Sequence, residues 1–287
     1  MNSIIKYPGS KWRIADWIIS FFPEHHSYVE PFFGSGAVFF RKERSNIETI
    51  NDLDGEVVNF FEWVRNDPER LARAIYLTPY SRKVYDNAFR PEENSLVRNC
   101  KQQSEWTGSQ SELTQAVKFC IRANMGHGFR TAGSKVGWKC DIQGRERAYV
   151  LKDWNELPEK IILAAERLKE VQIECRPAVD IIERFNFENC LIYCDPPYLL
   201  ETRFGKQYKQ EMTRGQHEEL LDVLLKSKSK VLLSGYDSDL YNDALKGWHK
   251  EKIWSAARNS AKKKQEVLWM NFEAVPQMTL WDKEESI

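Results

Sequence analysis

Residues 27–36 of the chain read SYVEPFFGSG, an apolar run that ends in two glycines. We interpret residues 27–33 as a short strand because β-branched and aromatic side chains dominate there, and the glycines predict a tight turn at its end. Residues 37–40 follow, and we expect them to open a helix. Glycines between a strand and a helix let a ligand approach the backbone, and the start of a helix favours anionic or polar groups.

A second strand and helix come directly afterwards. Residues 47–50 predict a strand that ends on Asn51 and Asp52, and residues 55–66 repeat apolar side chains at helical spacing. Strand, helix, strand and helix in this order begin a doubly wound parallel sheet. An acid at the position of Asp52 characteristically accepts hydrogen bonds from ribose hydroxyls. The alternative is that it caps the helix, as Asp54 can also do.

The same alternation resumes from about residue 157. We predict helices over 158–169, 179–185 and 217–225, and strands over 171–173, 190–194 and 230–234. Two last strands, 250–254 and 266–272, follow each other without a helix, which favours an antiparallel pair at the edge of the sheet. The fold class is therefore α/β, with a mostly parallel sheet and an antiparallel edge.

The stretch from 66 to 155 interrupts this alternation. It is rich in glycine, asparagine, glutamine and serine, and between residues 98 and 152 ten basic residues stand against four acidic ones. A basic, loop-rich insertion is typical of a module that contacts phosphates, although a solvated variable insertion would look the same by charge alone. We predict one domain from 1–65 with 156–287, and an inserted domain of 66–155.

The composition excludes several classes of protein. Lys plus Arg and Asp plus Glu are 42 each, so no uniform charge attracts nucleic acid or acidic membranes. No apolar run approaches the roughly 20 residues that cross a bilayer, and the first residues lack the apolar stretch of a signal peptide. The six cysteines and five histidines lack the spacing of a disulfide framework or a metal site. We expect a soluble cytoplasmic protein with reduced thiols, no metal and no membrane partner.

A second cluster, Asp195-Pro196-Pro197-Tyr198, follows the apolar strand 190–194. Two prolines cannot continue a ladder, so they fix a turn. The turn presents a carboxylate, carbonyl groups that have no N–H beside them, and an aromatic face at one edge of the sheet. These groups suit a planar amine, because the carboxylate and a proline carbonyl can each accept one N–H while the ring stacks on the base.

The order of these motifs resembles that of the Dam-type DNA adenine-N6 methyltransferases (class α, D12 family), which use S-adenosylmethionine. The resemblance runs nearly from end to end. It rests on YPGSK at 7–11, EPFFGSG at 30–36, ND at 51–52, DPPY at 195–198, LSGY at 233–236, EVLWMNF at 266–272 and, in the middle, Arg122, Asn124, Gly126 and Gly128.

The resemblance implies a Rossmann-like methyltransferase sheet with an inserted, smaller DNA-recognition domain. It implies double-stranded DNA as the partner, S-adenosylmethionine as the cofactor, S-adenosylhomocysteine as its product, no metal, and no obligate protein partner. The implied catalytic residues are Asp195, Pro196, Pro197 and Tyr198. The implied cofactor residues are Tyr7, Lys11, Phe33, Gly34, Ser35, Gly36, Asp52, Asp180 and Asp195. The implied DNA-binding residues are Arg122, Asn124, Arg130, Lys135 and Lys139.

Within that family, Lys11 would pair with the methionine carboxylate and Asp52 with the ribose hydroxyls, while Asp180 is a candidate for the adenine of the cofactor or a solvated acid at the start of a helix. Adenine would have to be flipped out of the duplex to reach Asp195 and Tyr198. Two alternatives remain open at this stage: methylation of another planar amine, chiefly cytosine N4, and a non-catalytic DNA-binding protein that retains the fold.

Overall fold

A computed structural model describes residues 3–90, 106–131, 135–141, 149–203, 205–255 and 264–273. The strands in this part of the chain are β1 (Ser27–Glu30), β2 (Ile47–Asn51), β3 (Val171–Glu174), β4 (Cys190–Cys194), β5 (Lys230–Tyr236), β6 (His249–Ser255) and β7 (Lys264–Met270). The helices are α1 (Ala15–Ile19), α2 (Gly55–Asn66), α3 (Pro68–Tyr76), α4 (Arg82–Asn87), α5 (Gln110–Met125), α6 (Tyr149–Asn155), α7 (Leu157–Leu168), α8 (Ala178–Arg184), α9 (Arg214–Leu225) and α10 (Asp239–Ala244).

The strands form one seven-stranded sheet in the order β3-β2-β1-β4-β5-β7-β6. Strand β1 pairs in parallel with β2 and β4, and β4 pairs in parallel with β5. Strand β7 then pairs antiparallel with both β5 and β6. The predicted mostly parallel sheet with an antiparallel edge is therefore confirmed. Its parallel strands are buried along most of their length, as strands covered on both faces must be.

The chain divides into two compact units. The first comprises 1–10, 52–176 and 207–210, and the second comprises 11–51, 177–206 and 211–287. Helix α2 packs on α5 and α7 in the first unit, where Phe60 and Phe119 are fully buried. In the second unit, side chains of α8 and α9 such as Ile181 and Leu224 pack against β4 and β5. The predicted boundaries of an inserted domain at 66–155 stay a prediction.

Two local expectations are wrong. The residues after the glycine turn do not open an α-helix: residues 37–41 form successive turns, since Gly36 has φ +63° and Phe39 and Phe40 turn inward to pack on Phe33. The middle of the chain is also less loop-rich than expected, because α3, α4, α5 and α6 lie there. A capping box between Ser109 and Glu112 starts the longest of them.

The thiols also depart from expectation at one position. Cys175 is disulfide-bonded, whereas Cys120, Cys140, Cys190 and Cys194 are free. Among the described residues no helix is long and apolar enough to cross a membrane.

A buried ion pair ties the segment after the glycine turn to β2. Lys42 Nζ lies 2.6 Å from Glu48 Oε1, and both side chains are at most 3% exposed. The same ammonium lies 4.3 Å from the centre of the Tyr28 ring on β1. A charge in such surroundings needs its partner, because water cannot replace it.

We predict that Glu48→Ala lowers the free energy of unfolding by about 3–5 kcal/mol, because it leaves the buried Lys42 ammonium without its opposite charge. Glu166→Ala, which breaks an exposed pair with Lys169, is the control and should cost less than about 1 kcal/mol. Urea denaturation of the three proteins measures both. If Glu48→Ala lowered the free energy of unfolding by no more than Glu166→Ala does, the buried pair would not contribute to stability.

Candidate active site

Parallel pairing places the ends of several strands of the second unit at one edge of the sheet. Val29 of β1 is in register with Ile192 of β4, and Cys194 at the end of β4 is in register with Leu233 of β5. The residues that follow β1 and β4 in the chain therefore emerge at the same edge. These are the Pro31–Gly36 loop and the Asp195–Tyr198 turn, and this edge is where α/β sheets bind ligands.

The two carboxylate oxygens of Asp195 have different surroundings. Its Oδ2 lies 2.9 Å from Lys11 Nζ, and the lysine side chain is 5% exposed while that of Asp195 is 17% exposed. Its other oxygen, Oδ1, is buried and receives no hydrogen bond from any described residue. Because buried acceptors are nearly always satisfied, this oxygen is a vacant acceptor for a donor brought by a ligand.

Tyr198 is fixed through its hydroxyl, its ring and its carbonyl. The hydroxyl donates to Glu266 Oε2 over 2.7 Å, and the ring lies edge-on to Tyr236 at 4.6 Å between centroids. Lys11 Nζ lies 4.8 Å from the ring centre, and Arg203 Nε donates to the Tyr198 carbonyl over 2.7 Å. Burial, followed by the charges of Asp195 and Glu266, raises the pKa of Tyr198 well above its usual value, so the hydroxyl stays protonated as a donor.

A buried carboxyl group and a buried thiol lie near Asp195, at the ends of β1 and β4. Glu30, the last residue of β1, is 3% exposed and accepts a hydrogen bond from the Tyr28 hydroxyl over 3.1 Å. Burial raises the pKa of Glu30 well above its usual value. Cys194, which directly precedes Asp195, is fully buried, and burial likewise raises the pKa of its thiol.

The glycine turn is anchored to the end of β2. Phe33 N–H donates to the Asn51 carbonyl over 2.9 Å, and Asn51 Nδ2 donates to the Pro31 carbonyl over 2.9 Å. Gly34 and Gly36 have φ of +51° and +63°, which other residues rarely adopt. The side chains of Phe33 and Ser35 are buried, so we expect this loop to offer a ligand mainly its backbone.

In the first unit, the structure shows which of Asp52 and Asp54 caps helix α2. Asp54 caps α2 by accepting from the Glu56 N–H over 3.1 Å, and Asp52 Oδ1 accepts from the Asp54 N–H over 2.8 Å. Asp54 is 2% exposed, and burial raises its pKa. The cap is therefore Asp54, and Asp52 is not needed for it.

Tyr7 lies close to these acids. Burial of its hydroxyl raises the pKa of Tyr7 well above its usual value, and the charges of Asp52 and Asp54 raise it further. Its ring lies 6.1 Å from that of Tyr208. Gly9 has φ +70°, and a Cβ there would stand 2.4 Å from the Tyr208 hydroxyl, so a side chain at this position would clash. The 7–11 motif thus places Tyr7 and Gly9 beside the Gln207–Gln210 segment.

The residues predicted to bind DNA all lie in the first unit, where most make internal contacts. Arg122 pairs with Glu56 at 2.5 Å, Asn124 Nδ2 donates to the Ile4 carbonyl over 3.2 Å, and Lys139 Nζ donates to the Asn124 carbonyl over 3.3 Å. Lys135 forms a half-exposed pair with Asp86 at 2.7 Å. Arg130 is exposed. These contacts do not test the predicted role in DNA binding.

Asp180 is the last of the residues predicted to bind the cofactor. It occupies the first turn of α8 and is exposed, and its N–H donates to the Pro177 carbonyl over 3.2 Å. Three residues around Tyr198 were not among the predicted site residues: Glu266, Tyr236 and Arg203. Glu266 and Tyr236 belonged to quoted motifs, but no sequence pattern indicates that they contact Tyr198.

A sequence model of the D12 class N6 adenine-specific DNA methyltransferases matches residues 7–261. The chain belongs to this family.

Individual relatives agree with the D12 assignment. The chain is 22% identical over 247 residues to the DNA adenine methylase of Salmonella typhi, which covers 83% of this chain and 82% of the relative. The same identity and coverage hold for the DNA adenine methylase of Escherichia coli K12. The chain is 26% identical to the Type II methyltransferase M1.LlaDCHI of Lactococcus lactis over 273 residues. This alignment covers 91% of this chain and 90% of the relative.

Membership of the D12 class confirms the predicted activity. The protein is an S-adenosylmethionine-dependent enzyme that methylates adenine N6 in DNA. The cytosine-N4 and non-catalytic alternatives are set aside. The vacant, buried Asp195 Oδ1 and the positive φ of Gly34 and Gly36 fit a site for a polar ligand. In the part of the chain that the structure describes, no group of acidic, histidine or cysteine side chains is arranged to hold a metal ion.

We predict that Gly36→Ala destabilises the D12 fold by about 2 kcal/mol or more, because the new Cβ would lie 2.4 Å from Phe33 Cζ in a left-handed backbone. Gly215→Ala is the control, since no atom lies within 4 Å of its Cβ position in α9. That change should be neutral or stabilise by up to about 1 kcal/mol. Thermal and urea unfolding compare the two, and an unaltered midpoint for Gly36→Ala would refute the strain.

Proposed function

We propose that the Asp195–Tyr198 turn receives one adenine flipped out of double-stranded DNA and that Asp195 Oδ1 accepts a hydrogen bond from its N6 amino group. The buried, vacant acceptor supports this most strongly, because it needs a donor that no described residue supplies. Adenine inside a duplex hides its amino group, and flipping it costs a few kcal/mol. Stacking on Tyr198 offsets this by about 1–3 kcal/mol.

Activation of N6 follows from the same contacts. The nitrogen is a poor nucleophile because its lone pair is delocalised into the ring. Hydrogen bonds from N6 to Asp195 Oδ1 and the Pro196 carbonyl localise that lone pair and stabilise the positive charge that develops on nitrogen. Pro197 keeps the turn rigid, so these acceptors need no rearrangement. The cofactor would supply an electrophilic methyl group: its sulfur–methyl bond would break as the N6–methyl bond forms, leaving S-adenosylhomocysteine, and N6 would then release one proton to water. The site contributes chiefly by holding N6 in line with that methyl group.

The groups that would hold the cofactor follow from chemistry and position. Lys11 supplies a positive charge for the methionine carboxylate, and Asp52 supplies acceptors for the ribose hydroxyls. Gly34 and Gly36 permit close approach to the backbone of Phe33 and Ser35. Tyr7 is a further contact, and its raised pKa keeps the hydroxyl neutral. Asp180 is the weakest member, because its side chain is exposed.

DNA contact is assigned to the predicted recognition segment within 66–155. Arg130 and Lys135 are exposed and suit phosphate contacts, since each can release a counterion from DNA. Arg122 and Asn124 join that segment to Glu56 and Ile4, whereas Lys139 bonds within the segment. These contacts would shape the surface that reads the site. We place the enzyme in the cytoplasm of a bacterial or phage-infected cell, acting without an obligate protein partner, in keeping with its bacterial relatives.

The proposed role of Asp195 predicts that Asp195→Ala lowers kcat by at least about 100-fold, because the N6 acceptor is lost. The measurement is transfer of labelled methyl from S-adenosylmethionine to unmethylated DNA, with the modified base identified by mass spectrometry. Asp222→Ala, at an exposed aspartate of α9, is the control and should behave as wild type. Full activity of Asp195→Ala would overturn the assignment.

For DNA binding we predict that Arg130→Ala weakens affinity and reduces the slope of log affinity against log salt by about one unit, as one phosphate contact disappears. Lys226→Ala removes an exposed cation outside the recognition segment and should leave the slope unchanged. Fluorescence anisotropy over a salt series gives both slopes. Identical slopes for all three proteins would show that Arg130 does not touch DNA.

A further inference from the structure

Glu266 is a buried carboxylate on β7, where the apolar residues Val267 to Met270 follow it. Side chains alternate along β7, and Val267 and Trp269 turn into the core beside α9 and α10. Glu266 therefore belongs to the opposite face, with Leu268 and Met270, and it is 8% exposed. A carboxylate that is removed from water in this way is costly unless it is hydrogen-bonded.

The donor to this carboxylate is the hydroxyl of the catalytic-turn tyrosine. Tyr198 donates to Glu266 Oε2 over 2.7 Å, a short bond of the kind formed with a charged acceptor. In the antiparallel pair of β5 and β7, Tyr236 lies directly opposite Glu266. The rings of Tyr236 and Tyr198 pack edge to face, with an angle of 70° between the two planes. Both members of this cross-strand pair therefore contact Tyr198, Glu266 at the hydroxyl and Tyr236 at the ring.

We propose that Glu266 is a positioning residue for methyl transfer: through the hydroxyl of Tyr198 it fixes the direction of the ring on which the flipped adenine stacks. This inference rests on the proposed role of the Asp195–Tyr198 turn. Torsions that end in an aromatic ring have broad minima, so packing alone leaves the ring some freedom. A bond at the para oxygen restrains the end of the side chain that lies farthest from the backbone.

The direction of this ring matters because the base has two contacts to satisfy at once. Its amino group must meet Asp195 Oδ1, and its plane must lie on Tyr198, three residues further along the same turn. A ring that tilts away from its place would still stack on a base, but would carry N6 away from the carboxylate. Misplacement by about 1 Å can reduce the rate roughly 100-fold without loss of binding.

Glu266 could instead serve only to hold β7 in the sheet. The two roles differ in what removal of the Tyr198 hydroxyl does. Tyr198→Phe keeps the ring, the carboxylate and the strand, and deletes only the bond between them. Tyr193→Phe is a matched control, because it deletes another buried tyrosine hydroxyl of this sheet, bonded to Ser234 over 2.9 Å.

The test compares wild type with Tyr198→Phe, Glu266→Ala, the double variant, Glu266→Gln and Tyr193→Phe. Steady-state methylation gives kcat and the KM for S-adenosylmethionine and DNA. Once sequencing has located the methylated adenine, 2-aminopurine at that position reports how the flipped base is stacked in the complex. Thermal unfolding of each protein accompanies the kinetics.

We expect kcat of Tyr198→Phe and of Glu266→Ala to fall by similar factors, about 10- to 100-fold, with KM for the cofactor unchanged. The double variant should be no slower than the slower single one, because both changes break the same bond. Both single variants should alter the 2-aminopurine signal in the same way. Glu266→Gln, which keeps an acceptor oxygen, should recover much of the loss, and Tyr193→Phe should keep kcat.

Several results would overturn the inference. Wild-type kcat in Tyr198→Phe would do so even if Glu266→Ala failed to fold. So would losses that multiply in the double variant, or an equal loss in Tyr193→Phe. Formation of N6-methyladenine by Asp195→Ala at the wild-type rate would refute the proposed function instead, so the two failures are distinguishable.

Discussion

The site depends on one buried ion pair, between Lys11 and Asp195. Both groups are largely removed from water, so the attraction between them is strong and the direction of the carboxylate is fixed. The lysine contacts Oδ2, and Oδ1 receives no hydrogen bond from the residues that the structure describes. The same ammonium lies over the Tyr198 ring, so a single cation organises the carboxylate and the aromatic member of the turn.

The parallel sheet gives this pair its place. Strands β1 and β4 are neighbours in register, and the prolines after each strand prevent the ladder from continuing. The segments that follow therefore leave the sheet at the same edge. A second acid, Glu30, lies buried at the end of β1, where its raised pKa limits the negative charge close to Asp195.

Much of this could be predicted from sequence because it follows from local rules. Short runs of apolar and β-branched residues predict the strands at 47–50, 190–194 and 230–234, and the cap at Asp54 follows from the side chain that precedes a helix. The D12 resemblance supplied the reaction, which the comparisons confirm. The predicted helix at 37–40 failed because periodicity does not report the left-handed turn at Gly36 or the packing of three phenylalanines.

The contacts that sequence could not supply are pairings between distant strands. Glu266 meets Tyr198 only because β7 enters the sheet antiparallel beside β5, in a register that sets it opposite Tyr236. The ion pair between Arg122 and Glu56 is equally non-local, 66 residues apart. A motif can indicate which residue types a reaction needs. It does not indicate which side chains hold them in place.

The burial of Cys194 has a chemical consequence for the neighbouring Asp195. Alkylating agents and peroxides attack the thiolate, and a thiol with a raised pKa and no exposed surface forms almost none. The thiol that adjoins Asp195 is therefore inert toward oxidants, although sulfur is otherwise among the most reactive atoms in a protein.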